Sequence, residues 1–597
     1  MKLHCINTFT NRLLALSVIA MVCFQVGFSP VAAQNRPIDR AERQRAEVLG
    51  GDDIDSRSGE LQIEDEGADE SSGDATPLGI QFRAIHLISH QSKASMSPEV
   101  GKDKVRIDES LPAPIGLEEV ILPYIGEEVS MARLGELGKD IVKAWRASDY
   151  PLVDVYFPEQ NVTLGKIQIV VREAVLGKKT EEGAVHSRSD YLLDQVRVNS
   201  GDRVNRRVVQ ADLDWLNENP IRQVNIIYER GESDGTSDII IDVNEEKQLT
   251  AYTGFANTGV NFTGEEEWSF GVNLANPWNT EQSIGYHYTT DLDWDSLSAH
   301  SVFYQNFLPW RHTLSLIGAY VNSEANNAGL IGVQGESKQL SAEYKIPLDR
   351  PHWNNSWKHS FTAAFDYKTT NTDLFFGGLN VFASDVAVGQ FRAEYEATFP
   401  DEFGFNRFAI GVVGAPGDLF GNNDDTSFLL ARAGSESSYF YSFAEAEKLI
   451  RLPQDWSLRL NGTAQATEDR LTSTEQLLGG GYATVRGYDE SLIRADSGLI
   501  VNVELISPEF SLLNCFDLEC DDQWNAFAFY DGAAFDISDP LPGEVNPSLQ
   551  SVGLGLNCQL GDHGFARAAY GWAVDSHGVN PALIEDGKFH FGVTLLY

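Results

Sequence analysis

The run "LLGGGYATVRGYDE" (residues 477–490) crowds glycines around one cation, Arg486, set between Val485 and Gly487-Tyr488. Glycine amides and a basic side chain bind anions, so a phosphate cradle is the first chemistry to test. A P-loop needs Gly-Lys-Ser/Thr opening a helix, and neither that tripeptide nor a helical pattern follows here. A second candidate is Gly231-Glu232-Ser233-Asp234-Gly235, which satisfies G-x-S-x-G, the nucleophile elbow of hydrolases. That elbow must join a strand to a helix. Here "IIYER" and "SDIIIDV" on either side both read as strands, so a hairpin turn is expected instead.

Cys515 and Cys520 bracket the polar turn "CFDLEC" and could close as a disulfide in an oxidising compartment. No second close pair accompanies them, which argues against zinc, and Cys558 is left without a partner. "DDIDSR" begins like a calcium loop, but Arg57 stands where that turn needs glycine. With no HExxH, CxxC or Walker pattern, the expectation is no catalytic residue, no metal, no cofactor and no nucleotide.

The elements that must position Arg486 belong to an exported chain. Asp plus Glu number 87 against 45 Lys plus Arg, a formal charge of -42 that repels nucleic acid. Lys2 and Arg12 precede an apolar run from Leu13 to Phe28, and Val31-Ala32-Ala33 offers a cleavage site, so residues 1–33 read as a signal peptide. Residues 34–76 hold a short Arg/Glu-rich helix within 38–49 and then an acidic stretch, with ten Asp/Glu between Gly51 and Asp74, read as a disordered linker. Two small α/β modules follow, over 77–175 and 176–247. In the first, Leu134, Leu137, Ile141, Val142 and Trp145 have helical spacing between strand-like runs. In the second, "LLDQVRV" is read as a strand, Val209, Leu213 and Leu216 as a helix face, and "QVNIIYE" and "SDIIIDVNE" as strands.

From 248 to 597 helical periodicity gives way to strict alternation. In "QFRAEYEATF", Phe391, Ala393, Tyr395, Ala397 and Phe399 share one face, while Arg392, Glu394 and Glu396 share the other. Strands of about ten residues with a charged second face suit a membrane β-barrel with a wet lumen, and about sixteen such segments fit. Short connections such as "LPQD" alternate with long ones such as "APGDLFGNNDDTS". The final strand places Phe589, Phe591, Val593, Leu595 and Tyr597 on one face, ready to close the barrel.

A signal peptide, two α/β modules, a barrel, "GGGYATVRGYDE" and "FAFYDGAAF" together resemble the ShlB/FhaC/HecB family of two-partner secretion transporters, within the superfamily of the BamA assembly factors. The resemblance implies a barrel in the outer membrane of a Gram-negative bacterium with the two modules as periplasmic POTRA domains. It implies a loop folded back into the lumen, with Val485, Arg486, Gly487 and Tyr488 at its tip and Arg486 latched to Asp531 of an inner-wall motif formed by Phe529, Asp531 and Gly532. A polar, hydrated lumen is expected to leave that pair releasable. The segment 38–49 takes the place of a helix that plugs the pore. The implied partners are an unfolded secreted exoprotein, such as a hemolysin or adhesin, outer-membrane lipid and the barrel-assembly machinery that inserts the chain. An assembly factor of the BamA type or a passive porin is the alternative, and a porin leaves the modules without work.

Overall fold

The computed structural model of the chain describes residues 28–29, 61–63, 74–96, 104–111 and 113–597, except 234, 262, 328–330, 377–378 and 513–521. Apart from Phe28–Ser29, which pairs with Glu447 and Ala446, the expected signal peptide lies outside the described residues, as do the helix within 38–49 and the Cys515/Cys520 pair. Residues 53–246 form one compact unit, and residues 247–597 lie in a second.

The first unit opens with β1 (Leu61–Ile63) and then repeats one order, β-α-α-β-β. In the first module this is β2 (Ala84–Ile88), β3 (Val105–Ile107) as an added edge strand, α1 (Leu117–Ile121), α2 (Met131–Arg146), β4 (Val153–Tyr156) and β5 (Lys166–Glu173). Ser130 caps α2 by accepting from the Arg133 amide at 3.1 Å. Leu137, Ile141 and Trp145, four residues apart, then bury one face against Ile85, Leu87, Ile167 and Ile169. Strand β5 runs parallel to β2 and antiparallel to β4, which makes it the covered centre of the sheet.

The second module comprises β6 (Val175–Glu182), α3 (Ser189–Gln195), α4 (Arg206–Leu216), β7 (Arg222–Arg230) and β8 (Thr236–Glu245). Val209, Leu213 and Leu216 pack on Val224, Ile226, Ile239 and Ile241. Two expectations fail here. "LLDQVRV" is largely the end of helix α3, because Leu192, Gln195 and Val196 bury together, and Asp212 ends the helix by accepting from the Arg197 amide at 2.8 Å. Within the linker read as disordered, Leu61–Ile63 forms a strand parallel to β7. Gly231, Ser233 and Gly235 lie in the hairpin between β7 and β8, so no helix follows Ser233 and the elbow geometry is missing.

Sixteen antiparallel strands make the barrel: β9 (Leu249–Ala256), β10 (Glu267–Ala275), β11 (Gln282–Asp291), β12 (Leu297–Phe307), β13 (Thr313–Asn327), β14 (Ile331–Leu348), β15 (Lys358–Phe376), β16 (Leu379–Asp401), β17 (Gly404–Pro416), β18 (Ser438–Arg451), β19 (Ser457–Thr467), β20 (Ser497–Ile506), β21 (Asp522–Asp536), β22 (Ser548–Leu560), β23 (Gly564–Asp575) and β24 (Gly587–Leu596). Strand β24 pairs back onto β9, from Tyr252 opposite Leu596 to Ala256 opposite Gly592, so no edge is left open. Phe589, Val593, Leu595 and Tyr597 face outward there and His590 inward. Alternation sets each face: on β21, Phe527, Phe529, Asp531, Ala533 and Phe535 are buried, while Tyr530 is exposed.

Turns at the end where the chain enters β9 carry Trp278, Trp310, Trp353 and Trp456, all exposed, beside Trp357 stacked on Phe399. Such an aromatic belt marks a membrane–water interface. At the opposite end lie the connections 417–437, 468–496 and 537–547. Between β13 and β14, and between β15 and β16, the expected long loop is replaced by longer strands, up to 23 residues in β16, well beyond the ~10 that cross a bilayer. Among the described residues no helix is long and apolar enough to cross a membrane.

Candidate functional site: the lumen loop

The connection 468–496 leaves β19, forms a two-stranded ribbon from Leu477–Gly479 and Ile493–Ala495, and turns its tip against inner-face residues of β20 to β24. Val485 and Tyr488 are buried in an apolar cluster with Ile500, Ala533, Phe535 and Leu549 of the wall. This cluster brings the backbone of Arg486 to β21.

Arg486 then makes a planar, two-pronged contact with Asp531: Nε to Oδ2 at 2.8 Å and Nη2 to Oδ1 at 2.7 Å. Its own amide donates to Oδ2 as well, at 3.0 Å. Asn502 supplies a fourth bond to Asp531, Nδ2 to Oδ1 at 2.8 Å, and also donates to the carbonyl of Thr484. The remaining arm, Nη1, reaches Glu504. Phe529 lies under the guanidinium, its ring centre 3.6 Å from Cζ, an arrangement in which the ring face attracts the cation. Arg486 is 3% exposed and Asp531 0%. The expectation of a hydrated pair is therefore corrected: apolar wall residues exclude water from the tip, and hydrogen bonds compensate the charges.

Gly487 has φ of +90°, and its amide donates to His590 Nε2 at 3.1 Å, which fixes the imidazole proton on Nδ1 if the ring is neutral. Across from it, a Cβ on Gly571 of β23 would stand 2.6 Å from the Gly487 nitrogen, so the loop seats on bare backbone. The Tyr488 hydroxyl lies 2.8 Å from the carbonyl of Gln550 and 2.7 Å from that of Asp575. Of the expected wall motif, Phe529 and Asp531 face the loop, and Gly532 lies beside Tyr530 on the outer side.

Sequence reasoning missed Glu504, Asn502, His590 and Gly571. Glu504 and Asn502 were findable: in "LIVNVELI" the apolar residues alternate outward, which leaves these two polar side chains facing the lumen. It also missed how the stem is held. Glu475, fully buried, accepts from Lys368 Nζ of β15 at 3.0 Å and from the Tyr441 hydroxyl of β18 at 3.1 Å. Arg432 pairs with buried Asp496, and Arg470 grips Glu544 of the next outer loop at 2.8 and 2.9 Å. The loop is thus fastened to β15 and β18 at its stem and to β20 through β24 at its tip.

Residues 235–520 match the family model described as Haemolysin secretion/activation protein ShlB/FhaC/HecB, and residues 105–174 match the POTRA domain, ShlB-type. The chain is similar to the Heme/hemopexin transporter protein HuxB of Haemophilus influenzae, 22% identical over 462 residues, covering 74% of this chain and 77% of that protein. It is also similar to the Outer membrane transporter CdiB-2 of Burkholderia pseudomallei, 21% identical over 34% of each chain. Among solved structures, CdiB from Escherichia coli superposes with a TM-score of 0.69 at 17% identity, covering 95% of this chain and 100% of that one. CdiB from Acinetobacter baumannii gives a TM-score of 0.58 at 15% identity, covering 96% and 100%.

Proposed function

We propose, from the premise that the chain belongs to the ShlB/FhaC/HecB family of haemolysin secretion/activation proteins, that it secretes a partner exoprotein across the outer membrane and that the Arg486 loop is its gate. The observation that carries this reading is the loop itself, a strap fastened to two sectors of the wall of a closed barrel. A passive pore has no use for two β-α-α-β-β modules, whereas capture of an exported polypeptide does. The relatives HuxB and CdiB-2 are transporters by name, which supports the class of function.

In this mechanism the modules at 77–175 and 176–247 hold the unfolded client in the periplasm, and the loop tip leaves Asp531 as the client enters. Each side chain has a physical task. Arg486 and Asp531 hold the closed position, Gly487 and Gly571 permit the close approach, and Tyr488 and Val485 anchor the tip in apolar surroundings. The driving force is assigned to the client. Folding of the client outside prevents its return, because the folded portion is too stable to re-enter as an extended chain. Lipid surrounds the outward apolar face, and the barrel-assembly machinery inserts the chain.

The test compares the culture-medium proteome with and without this chain. Loss of one large exoprotein from the medium, with its accumulation in the periplasm, is the expected result. An unchanged medium, or a soluble periplasmic location for the chain itself, contradicts the reading.

A further inference from the structure

Strand β17 stops at Pro416, whereas its neighbour β16 continues beyond the last shared pair, Phe391 opposite Gly414, toward the outer rim. The first turn of the loop 417–437 takes the vacated edge. The Ala387 amide of β16 donates to the Asn422 carbonyl at 2.9 Å, and the Ala387 carbonyl accepts from Asn423 Nδ2 at 2.9 Å. Buried Asn423 also shapes the turn, its Oδ1 accepting from the Leu419 amide at 3.0 Å and its carbonyl from the Asp418 amide at 2.7 Å. Leu419 and Phe420 come to lie on the outside of the barrel. A Cβ on Gly389 of β16 would stand 2.7 Å from the Phe420 ring and 3.1 Å from Leu419, and the ring centre lies 5.0 Å from that of Tyr367 on β15. Tyr367 shares its strand face with Phe361, and Gly389 with Phe391, both exposed on the outward side. A few residues on, the same loop turns inward. Helix α5 (Asp425–Ala431) buries Phe428 among Val388, Val413 and Tyr439 of the inner wall, and Arg432 then donates from Nη2 to Asp496 of the Arg486 loop at 2.9 Å.

We propose that the turn 417–423 is a membrane hook: Leu419 and Phe420 enter the acyl region of the outer-leaflet lipid, at its boundary with the headgroups, and so hold α5 in the mouth of the lumen. The inference goes beyond the secretion reading, because it concerns which solvent a loop meets. Height supports it. Tyr367 lies ten residues along the chain from Trp357, and Gly389 ten from Phe399, the stacked pair of the belt at the entry end. About ten tilted strand residues cross the hydrocarbon layer, so the Phe420 ring lies at its far boundary, where aromatics are favoured. Composition supports it too. Leu419 and Phe420 remain exposed within an otherwise polar run, "DLFGNNDD", and two adjacent apolar side chains on an outer face gain free energy where lipid replaces water. One loop thus clasps the rim, with lipid around one anchor and the lumen wall around the other. The link between them is short and bonded: after Asn423, Asp424 caps α5 by accepting from the Thr426 amide at 2.9 Å and the Ser427 amide at 3.1 Å. A shift of the hook is therefore passed to Phe428.

The test places the full-length chain in phosphatidylcholine vesicles whose acyl chains carry nitroxide quenchers. A coumarin amino acid incorporated at position 419 should lose most of the emission that it shows in vesicles without nitroxide. The same fluorophore at position 541, an exposed site in the outer loop 537–547, should keep most of it. In planar bilayers, Leu419→Ser with Phe420→Ser should raise the frequency of channel openings on the order of tenfold, as two large apolar side chains lose a favourable solvent. Phe420→Leu stays apolar and should keep the wild-type frequency. Equal quenching at 419 and 541 overturns the hook, whatever the double variant does. Wild-type openings in a double variant that retains its heat-modifiable migration on gels overturn its hold on α5. Neither measurement involves a client, so a negative result here leaves the secretion reading standing, and an unchanged medium proteome leaves a positive result here standing.

Discussion

Two charged regions face the inside of the same barrel and differ in their burial. At the loop tip, Arg486 and Asp531 are buried, and the carboxylate of Asp531 accepts four hydrogen bonds. On β14, β16 and β17, Arg392 contacts Glu343 and Glu394, and Arg407 contacts Glu396, with these side chains 19–31% exposed. The residue types are the same and the expected energetics are not. Removing one partner of a dry pair costs roughly 3–5 kcal/mol, because the other charge is left without compensation. A partly exposed pair loses less when one partner is removed, because water can reach the charge that remains. Dry charges can therefore hold one conformation of the loop, whereas wet charges make a replaceable polar wall past which a polypeptide can move.

The largest expected effect comes from breaking the dry pair. Arg486→Ala should lower exoprotein secretion at least tenfold, about 1.4 kcal/mol or more of lost seating, while the barrel keeps its heat-modifiable migration on gels. Loss of membrane insertion instead would make Arg486 part of the wall and remove the contrast. Gly571→Ala comes next. Its new methyl group would meet the Gly487 nitrogen at 2.6 Å, so the tip must move although every charge is retained. Single-channel recordings should show more frequent openings than wild type, and recordings unchanged from wild type would mean that the loop does not sit on β23.

Arg392→Ala should change secretion by no more than about threefold, because water reaches the partly exposed partners that it leaves behind. A loss as large as that of Arg486→Ala would show that the wall charges are as specific as the tip. The smallest effect concerns pH. Hydrogen bonding from Arg470 holds Glu544 down to about 2, below the ordinary Glu value near ~4.3. A depressed carboxylate contributes its stabilisation fully above the ordinary value and loses it as pH falls through the folded value. Flicker of the outer loops in planar bilayers should therefore rise only below about pH 4 and increase toward pH 2. A rise already present at neutral pH would assign the flicker to another contact.

Much of this was legible in the sequence, for physical reasons. Alternation with charged second faces, repeated over about sixteen segments, made the barrel and its strand number legible, whereas the inward direction of Asp531 was implied by the resemblance of "FAFYDGAAF" to the family's wall motif. The β-α-α-β-β modules were legible wherever a helix buried a regular face, as with Leu137, Ile141 and Trp145. They were not where a short amphipathic run fits both periods, as at Leu192 to Val198. Water was the least legible quantity. Whether Arg486 sits in solvent depends on Val485, Tyr488, Phe535 and Leu549 converging from distant strands, and no local pattern encodes that convergence. Leu61–Ile63 was hidden for a related reason: its acidic neighbours dominate the composition, and its pairing comes from an edge more than 150 residues further along the chain.

The central claim is that Arg486 and Asp531 act as one latch, and a double-mutant cycle on secretion tests it most directly. Arg486→Ala, Asp531→Ala and the double variant would be compared by the amount of exoprotein in the medium at equal barrel abundance in the outer membrane. Coupled residues give non-additive losses, so the double variant should be impaired far less than the product of the two single effects. Losses that simply multiply, or full secretion by Arg486→Ala, would contradict the account.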